Sequence, residues 1–263
     1  MAIYSFPLQI LSLIWLRYLA LRCPSNFNIP PEICRLWNLQ AFIVRGYTLP
    51  YITFPEQIWG LMQLRKFFRG IQNVKKIGFN GDQDDYESFQ KSGHFNNLVM
   101  LQQLETLSVR NMYDWSLVTI PTTLKKLKLY RTYLSWSYLD IIAELPNLEV
   151  LKLMFKACRG DEWDPNVSVF TQLKLLLIEV NSLKSWKATN DNFPVLERLV
   201  LRSGYHLKKI PIEFADINTL QLIELDSCLP ILAVSAARIQ HEQQDLGNDP
   251  VDVRIITSRC GNN

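Results

Sequence analysis

Histidines, cysteines and clustered carboxylates are the side chains of this sequence with the chemistry to bind a metal or to act in catalysis. The histidines are His94, His206 and His241, and none lies in a metal-binding spacing such as H-E-x-x-H. The cysteines are Cys23, Cys34, Cys158, Cys228 and Cys260, and they form no C-x-x-C pair. No G-x-S-x-G turn and no kinase or dinucleotide-binding signature occurs. We therefore expect no enzyme activity, no catalytic residue, no cofactor and no metal site.

Residues 80–87 contain carboxylates whose spacing is similar to that of a calcium-binding loop. Such a loop has glycine at its sixth position and glutamate at its twelfth. Counted from Asp82, glycine is absent from the sixth position and the twelfth is Gly93. We expect a solvated insertion here.

Composition and charge limit the class of partner. The chain has 263 residues, of which 48% are hydrophobic, so it can bury a sizeable core. Its net charge of +3 is too small to predict nucleic acid as a partner. The odd number of scattered cysteines argues against a disulfide framework and favours a reducing compartment.

No stretch of the sequence predicts a leader or a membrane span. The apolar residues between Phe6 and Leu21 are interrupted by Gln9, Ser12 and Arg17, which argues against a signal peptide. No other segment approaches the roughly 20 apolar residues that cross a bilayer. We expect a cytoplasmic protein with no transmembrane segment, and we leave open peripheral contact with membranes through partners.

Leucine recurs as an apolar residue, two variable residues, an apolar residue, one variable residue and an apolar residue. The clear copies are Leu16-Leu19-Leu21, Leu104-Leu107-Val109, Leu124-Leu127-Leu129, Leu148-Leu151-Leu153, Leu173-Leu176-Ile178, Leu196-Leu199-Leu201 and Leu220-Ile223-Leu225, and the weaker ones are Leu39-Phe42-Val44 and Val74-Ile77-Phe79. From Leu104 onward the copies begin 20, 24, 25, 23 and 24 residues apart, which is the period of a leucine-rich repeat.

The spacing within each copy predicts one short strand per repeat. The last two apolar residues are two positions apart, so on a strand both point to one face, and stacked repeats bury that face. Proline begins the return segments after Ile29, Phe54, Ile120 and Ile210, where it prevents ladder pairing and favours a short helical turn. We predict an α/β leucine-rich-repeat solenoid of about nine to ten repeats, with a curved parallel sheet on its concave face and short helical or irregular returns. Leu127, Leu151 and Leu199 are predicted core residues.

Three parts of the chain depart from the regular repeat. The period is disturbed at 64–104, where Leu64–Phe67 is a doubtful strand. The ninth position of a regular repeat holds Asn or Cys; here Asn181 and Cys228 fit, and Pro24, Met112, Thr132, Lys156 and Gly204 do not. We predict a solenoid over 1–228, entered partway through a repeat, and a cap over 229–263. The cap is expected to hold a helix that ends near Gly247 and a last strand over Val251–Ile255.

Basic residues are concentrated at the predicted outward positions of the strands. Nine of these 27 positions are basic and three, Glu179, Glu224 and Asp226, are acidic. The predicted partner-binding residues of this face are Arg22, Arg45, Lys76, Arg110, Lys126, Lys128, Tyr130, Lys152, Arg198 and Arg202. Exposed strand positions are polar in any soluble sheet, so the alternative is a solubilising surface. Neighbouring columns of like charge repel, which favours docking of an acidic protein surface.

Several segments resemble one family. They are residues 16–21 (LRYLAL), 29–40 (IPPEICRLWNLQ), 145–153 (LPNLEVLKL), 193–199 (FPVLERL) and 236–248 (AARIQHEQQDLGN). These segments are similar to the leucine-rich-repeat region of plant intracellular immune receptors of the coiled-coil, nucleotide-binding type, and most closely to the late blight resistance proteins of nightshade plants. The resemblance implies a recognition and autoinhibitory module whose partner is a receptor's nucleotide-binding domain, or a pathogen or host protein.

The resemblance to nucleotide-binding receptors makes the absence of a phosphate-binding loop from this sequence notable. No G-x-x-x-x-G-K-[S/T] phosphate loop occurs in the sequence. We therefore expect a fragment or truncated paralogue that lacks the nucleotide-binding domain.

Two other classes are alternatives. A leucine-rich-repeat substrate adaptor for ubiquitin ligation needs an amino-terminal helical box, for which Met1 to Leu16 leaves no room. A secreted inhibitor or receptor ectodomain would be favoured by paired cysteines or glycosylation acceptors, of which Asn166-Val167-Ser168 is a notable match.

Overall fold

The computed structural model describes residues 6–23, 27–36, 38–46, 52–53, 75–80, 98, 101–112, 120–165, 169–179 and 182–256. It divides into two compact units, Met1–Leu124 and Lys125–Asn263. Each unit consists of parallel strands joined by short return segments, which confirms the predicted leucine-rich-repeat fold. The division into a solenoid over 1–228 and a cap over 229–263 stays a prediction.

The first unit stacks one long strand per repeat. Its described strands are β1 (Tyr18–Cys23), β2 (Phe27–Asn28), β3 (Ala41–Gly46), β4 (Ile52–Thr53), β5 (Lys76–Asn80) and β6 (Thr106–Arg110). The long strands follow the order β1-β3-β5-β6 and are parallel, while β2 pairs with β4. Leu19 is the register partner of Phe42, and Ile77 that of Leu107, so the repeat copies lie on successive strands.

Short 3-10 helices form the described returns of this unit, at Leu8–Ser12 and Pro31–Arg35. Ile33 and Leu36 are buried, as the spacing of three predicts. Leu13 is 53% exposed, because the first of these helices ends at Ser12 and Leu11 occupies the inward position. The proline-led return after Phe54, the doubtful strand Leu64–Phe67 and residues 81–87 of the acidic segment lie outside the described residues.

The second unit has the more regular repeats. Its strands are β7 (Lys126–Tyr130), β8 (Leu134–Ser135), β9 (Val150–Met154), β10 (Cys158–Arg159), β11 (Glu162–Trp163), β12 (Leu175–Glu179), β13 (Ser185–Trp186), β14 (Arg198–Arg202), β15 (Leu222–Asp226) and β16 (Asp252–Ile256). The long strands form a parallel sheet in the order β7-β9-β12-β14-β15-β16. Leu127 pairs in register with Leu151, Leu151 with Leu176, and Leu176 with Leu199. All four are at most 1% exposed, which confirms the predicted core.

A left-handed backbone turn recurs directly after the strands. Arg131, Ser203 and Ser227 have φ values of 51°, 50° and 53°. Each donates its backbone N–H to a carbonyl of the neighbouring repeat, at 2.8–2.9 Å. Non-glycine residues rarely adopt this conformation, so the turn marks the place where each chain segment leaves the sheet for its return.

The ninth repeat position lies just beyond that turn. The Cys228 thiol donates to the Leu201 carbonyl at 3.2 Å, as expected for a cysteine there. Thr132 does not match the regular pattern, yet its hydroxyl is fully buried and donates to the Ala157 carbonyl at 2.8 Å. A threonine therefore supplies the bond between neighbouring repeats that a regular repeat obtains from asparagine, because both side chains offer a hydrogen-bond donor.

Aromatic rings fill the return layer of the second unit. The indoles of Trp136, Trp163 and Trp186 stack with centroid separations of 5.2 and 5.1 Å. The rings of Phe193 and Phe214 meet Trp186 edge-on. Two-residue parallel pairs, β8 with β10 and β11 with β13, hold these segments together. The return layer thus forms a second column of contacts behind the leucine core.

The last described elements are α1 (Leu139–Ala143), which belongs to an earlier return, and α2 (Pro230–Asp245). Leu232, Ala236 and Ile239 bury one face of α2. The Gln243 side chain accepts the Val251 backbone N–H at 2.8 Å and so ties α2 to the entry of β16. The helix ends at Asp245 and β16 covers Asp252–Ile256, next to the predicted helix end near Gly247 and the predicted strand Val251–Ile255. Within the described ranges, no helix has the length and apolar character needed to cross a membrane.

Candidate functional site

The strand residues that alternate with the buried leucines form the outer sheet face. On β7, Leu127 and Leu129 are buried, whereas Lys126, Lys128 and Tyr130 retain solvent contact. The same alternation follows from the two-residue period of a strand wherever one side packs on a core.

In the first unit, Arg22, Arg45, Lys76 and Arg110 occupy such alternating positions on β1, β3, β5 and β6. Arg22 and Arg45 are register partners on adjacent strands. The side chains of Lys76 and Arg110 are exposed. Four of the predicted binding residues therefore fall on neighbouring strands of one sheet.

Strands β7 and β9 carry the basic part of the second unit's outer sheet face. Lys128 lies directly opposite Lys152 in the register, and Lys126 lies opposite Val150. Like charges at directly opposite positions destabilise a strand pair. Lys126 is exposed and Lys152 half-buried, and no described carboxylate lies within ion-pair distance of either.

The outer positions of β12, β14 and β15 are more enclosed than those of β7 and β9. The column that begins with Lys128 and Lys152 continues through Leu177, Val200 and Glu224. These last three residues are only 5%, 2% and 6% exposed. The column therefore changes from two lysines to an apolar pair and then to a buried carboxylate.

Glu224 binds two of the predicted partner-binding arginines. Its carboxylate accepts hydrogen bonds from Arg198 at 2.6 Å and from Arg202 at 3.4 Å. Arg202 also lies 3.7 Å from Asp226. A buried carboxylate is costly unless it is paired, so these arginines are required to stabilise Glu224. We call this set the arginine–glutamate cluster.

An aromatic and cationic group lies at the carboxyl ends of β7 and β9. The rings of Tyr130 and Phe155 stack at 5.8 Å. The Arg131 guanidinium and the Lys156 ammonium lie 5.3 and 5.7 Å from the centre of the Phe155 ring. Both are within the range of cation–π attraction. Tyr130 is a predicted binding residue, whereas Phe155 was not predicted because it follows β9 and lies beyond the outward positions of the strand.

The described histidines lie at the surface, and Cys158 lies in the core. His206 is exposed, and His241 lies 3.2 Å from Asp245 one helical turn along α2. Burial raises the pKa of the Cys158 thiol well above its usual range, and burial is also the main cause of a raised pKa at Cys228. No described group of three histidine, cysteine or carboxylate residues is arranged to hold a metal ion.

Parallel strands that recur about every two dozen residues, with short proline-led returns, define a leucine-rich-repeat protein. No protein-family model matches the chain. The chain is 33% identical over 271 residues to the putative late blight resistance protein homolog R1B-16 of Solanum demissum. This alignment covers 88% of this chain and 21% of the relative. It is 30% identical over 281 residues to the homolog R1B-23 of the same plant, over 88% of this chain and 22% of the relative.

These similarities confirm the predicted resemblance to late blight resistance proteins. The chain spans about a fifth of the length of the curated relatives that it matches. Among solved structures, it resembles the leucine-rich repeat domain of the type III effector XCV3220 (XopL), with a TM-score of 0.44 and 16% identity over 97% of this chain and 73% of that one.

Proposed function

We propose that this chain is a protein-binding recognition and autoinhibitory module of a plant intracellular disease-resistance receptor, acting without catalysis in the cytoplasm. The observation that carries the proposal is its similarity to late blight resistance protein homologues along nearly nine-tenths of its length. Its partner is the nucleotide-binding domain of such a receptor, or a pathogen or host protein.

The outer sheet face is the proposed binding surface. A sheet lined by lysines favours an acidic protein surface, because opposite charges across an interface accelerate association and exclude partners of the wrong sign. Lys128 and Lys152 lie directly opposite each other, so a carboxylate placed between them would offset their repulsion.

The experiment titrates the purified chain with the nucleotide-binding region of a plant intracellular disease-resistance receptor by calorimetry at two salt concentrations. We expect binding that weakens as salt is raised. The variant Lys126→Glu, Lys128→Glu, Lys152→Glu should lose at least about tenfold in affinity, or ~1.4 kcal/mol, and most of the salt dependence.

A matched control reverses three exposed cations away from the outer sheet face, Lys208→Glu, Lys209→Glu and Arg238→Glu. Its affinity should stay close to that of the native chain. Absence of any binding would contradict the autoinhibitory contact, and equal losses in both triple variants would contradict the assigned surface.

A further inference from the structure

Charge is divided unevenly along the outer sheet face of the second unit. Strands β7 and β9 contribute three lysines and no acidic residue at its outer positions. The remaining strands contribute three arginines and four acidic residues, namely Arg198, Arg202, Arg254, Glu179, Glu224, Asp226 and Asp252. Within the second unit, the basic character predicted for this face is therefore local to β7 and β9.

The arginines of this face are held by acidic groups of the chain itself. Arg198 and Arg202 bind the same buried Glu224, and Arg254 lies 2.8 Å from Asp252. Transferring Arg198 or Arg202 to a partner would leave the Glu224 carboxylate without its counter-charge. Because uncompensated buried charge is strongly destabilising, a partner gains little from these side chains.

Strands β7 and β9, together with the residues that directly follow them, have the opposite properties. Lys126 and Lys152 have no ion-pair partner among the described carboxylates, and two further cations, Arg131 and Lys156, flank the Phe155 ring. We call these five residues together with Tyr130 the basic corner. Rigid aromatic rings and arginine are the side chains that most often dominate the energy of a protein interface.

The backbone after β9 also differs from the backbone after β14 and β15. Phe155 and Lys156 are consecutive residues with positive φ, 23° and 56°. At the ends of β14 and β15 a single residue, Ser203 or Ser227, has this conformation. A bulky residue pays a steric penalty there, and such penalties are concentrated at functional positions.

We propose that partner contact on the second unit is confined to the basic corner, and that its occupant is an acidic segment of a protein with an apolar side chain that packs on Phe155. This inference rests on the proposed function, and it narrows the site to two strands. The outer positions from Lys126 to Tyr130 span roughly 13 Å, at about 3.3 Å per residue, so the corner matches a short extended segment.

The test measures fluorescence anisotropy of a labelled peptide in which glutamates surround a single tryptophan, with the lysine version of that peptide as the charge control. Two matched variants each remove two positive charges from the same sheet face: Lys126→Gln with Lys152→Gln, and Arg198→Gln with Arg202→Gln. We expect the lysine variant to bind at least fivefold more weakly and the arginine variant to stay within twofold of the native chain.

Two more variants keep the test decisive if the arginine variant does not fold. Phe155→Leu keeps an apolar side chain but removes the ring, and should bind at least threefold more weakly. Glu224→Gln releases both arginines, and should bind the acidic peptide more tightly than the native chain. Three results would each overturn the inference. They are weaker peptide binding by Glu224→Gln, native affinity of the variant Lys126→Gln with Lys152→Gln, and equal binding of the glutamate peptide and the lysine peptide.

The outcomes separate this inference from the proposed function. If the receptor's nucleotide-binding region does not bind while peptide binding depends on the basic corner, the inference stands and the autoinhibitory contact fails. If that region binds and is weakened equally by the lysine and arginine variants, the function stands and the confinement to the corner is wrong.

Discussion

Replacing Glu224 by glutamine tests the arginine–glutamate cluster directly, because the change removes the charge and keeps the shape. The native carboxylate side chain is 8% exposed, whereas those of Arg198 and Arg202 are 43% and 39% exposed. Breaking a fully buried ion pair costs about 3–5 kcal/mol. Water still reaches both arginines, so that figure is an upper limit, and we expect a loss of ~2 kcal/mol in the free energy of unfolding.

The assay is urea unfolding followed by far-ultraviolet circular dichroism, with a thermal melt beside it. For a protein of this size, ~2 kcal/mol corresponds to a fall in Tm of roughly 4–8 °C. Glu179→Gln is the matched control. Glu179 lies on β12, on the same sheet face as Glu224, and it is half-buried and has no ion pair among the described residues. Its stability should change by less than about 0.5 kcal/mol.

A double-mutant cycle with Arg198→Gln separates the ion pair from other effects of the substitution. If the two residues interact as the 2.6 Å contact indicates, their combined effect should be smaller than the sum of the single effects by at least about 1 kcal/mol. Additive effects, or native stability of Glu224→Gln, would refute the proposed role of this cluster.

Four further changes test the core and the return layer. Leu151→Ala should cost about 2–5 kcal/mol in urea unfolding, since Leu151 is fully buried; native stability would contradict the register. Trp163→Ala should cost about 3–5 kcal/mol, because its ring lies between two other indoles, while Trp15→Ala, at a 73% exposed site, should cost little. Thr132→Val should cost roughly 0.5–1.5 kcal/mol by removing the hydroxyl's hydrogen bond to the Ala157 carbonyl, which still accepts the Leu134 backbone N–H; a stabilised variant would contradict that bond. Burial raises the pKa of the Cys158 thiol, so it stays protonated through neutral pH and should react with a thiol reagent only after unfolding; rapid native labelling would contradict its burial.

The strands could be predicted because every repeat contains the same spacing of apolar residues. The L-x-x-L-x-L spacing identifies both the strand and its inward side, so Leu127, Leu151 and Leu199 could be placed from the sequence alone. Pro30 and Pro211 likewise indicated where the short 3-10 helices of their returns begin. These signals are local, and a local signal repeated at a fixed period defines neighbours in space.

The pairing of charges was not predictable in the same way. Repeat alignment places Arg198 beside Leu222, which is correct, but the ion pair runs diagonally to Glu224 on the next outer position. Long side chains reach across such diagonals, and only their conformations determine which contact forms. For this reason the sequence predicted a basic column where the second unit contains a partly neutralised one.

The hydrogen bond of Thr132 and the stacking of the tryptophans were not predicted, for a different reason. The rule for the ninth position names residue types, whereas the structure requires only a donor of the right reach, which threonine also provides. Trp136, Trp163 and Trp186 lie at unequal distances from the leucines of their own repeats, so no fixed period relates them. Asn181 and Asn166-Val167-Ser168 lie outside the described residues.

The indole stack of the return layer gives the chain an intrinsic optical reporter. Three indoles packed about 5 Å apart, with interplanar angles of 20° and 6°, are held in a fixed asymmetric environment and should produce a near-ultraviolet dichroic band. The band depends on all three rings remaining in contact. Its loss during unfolding would therefore report separation of the return layer without an attached label, and far-ultraviolet dichroism would report unfolding of the sheet separately.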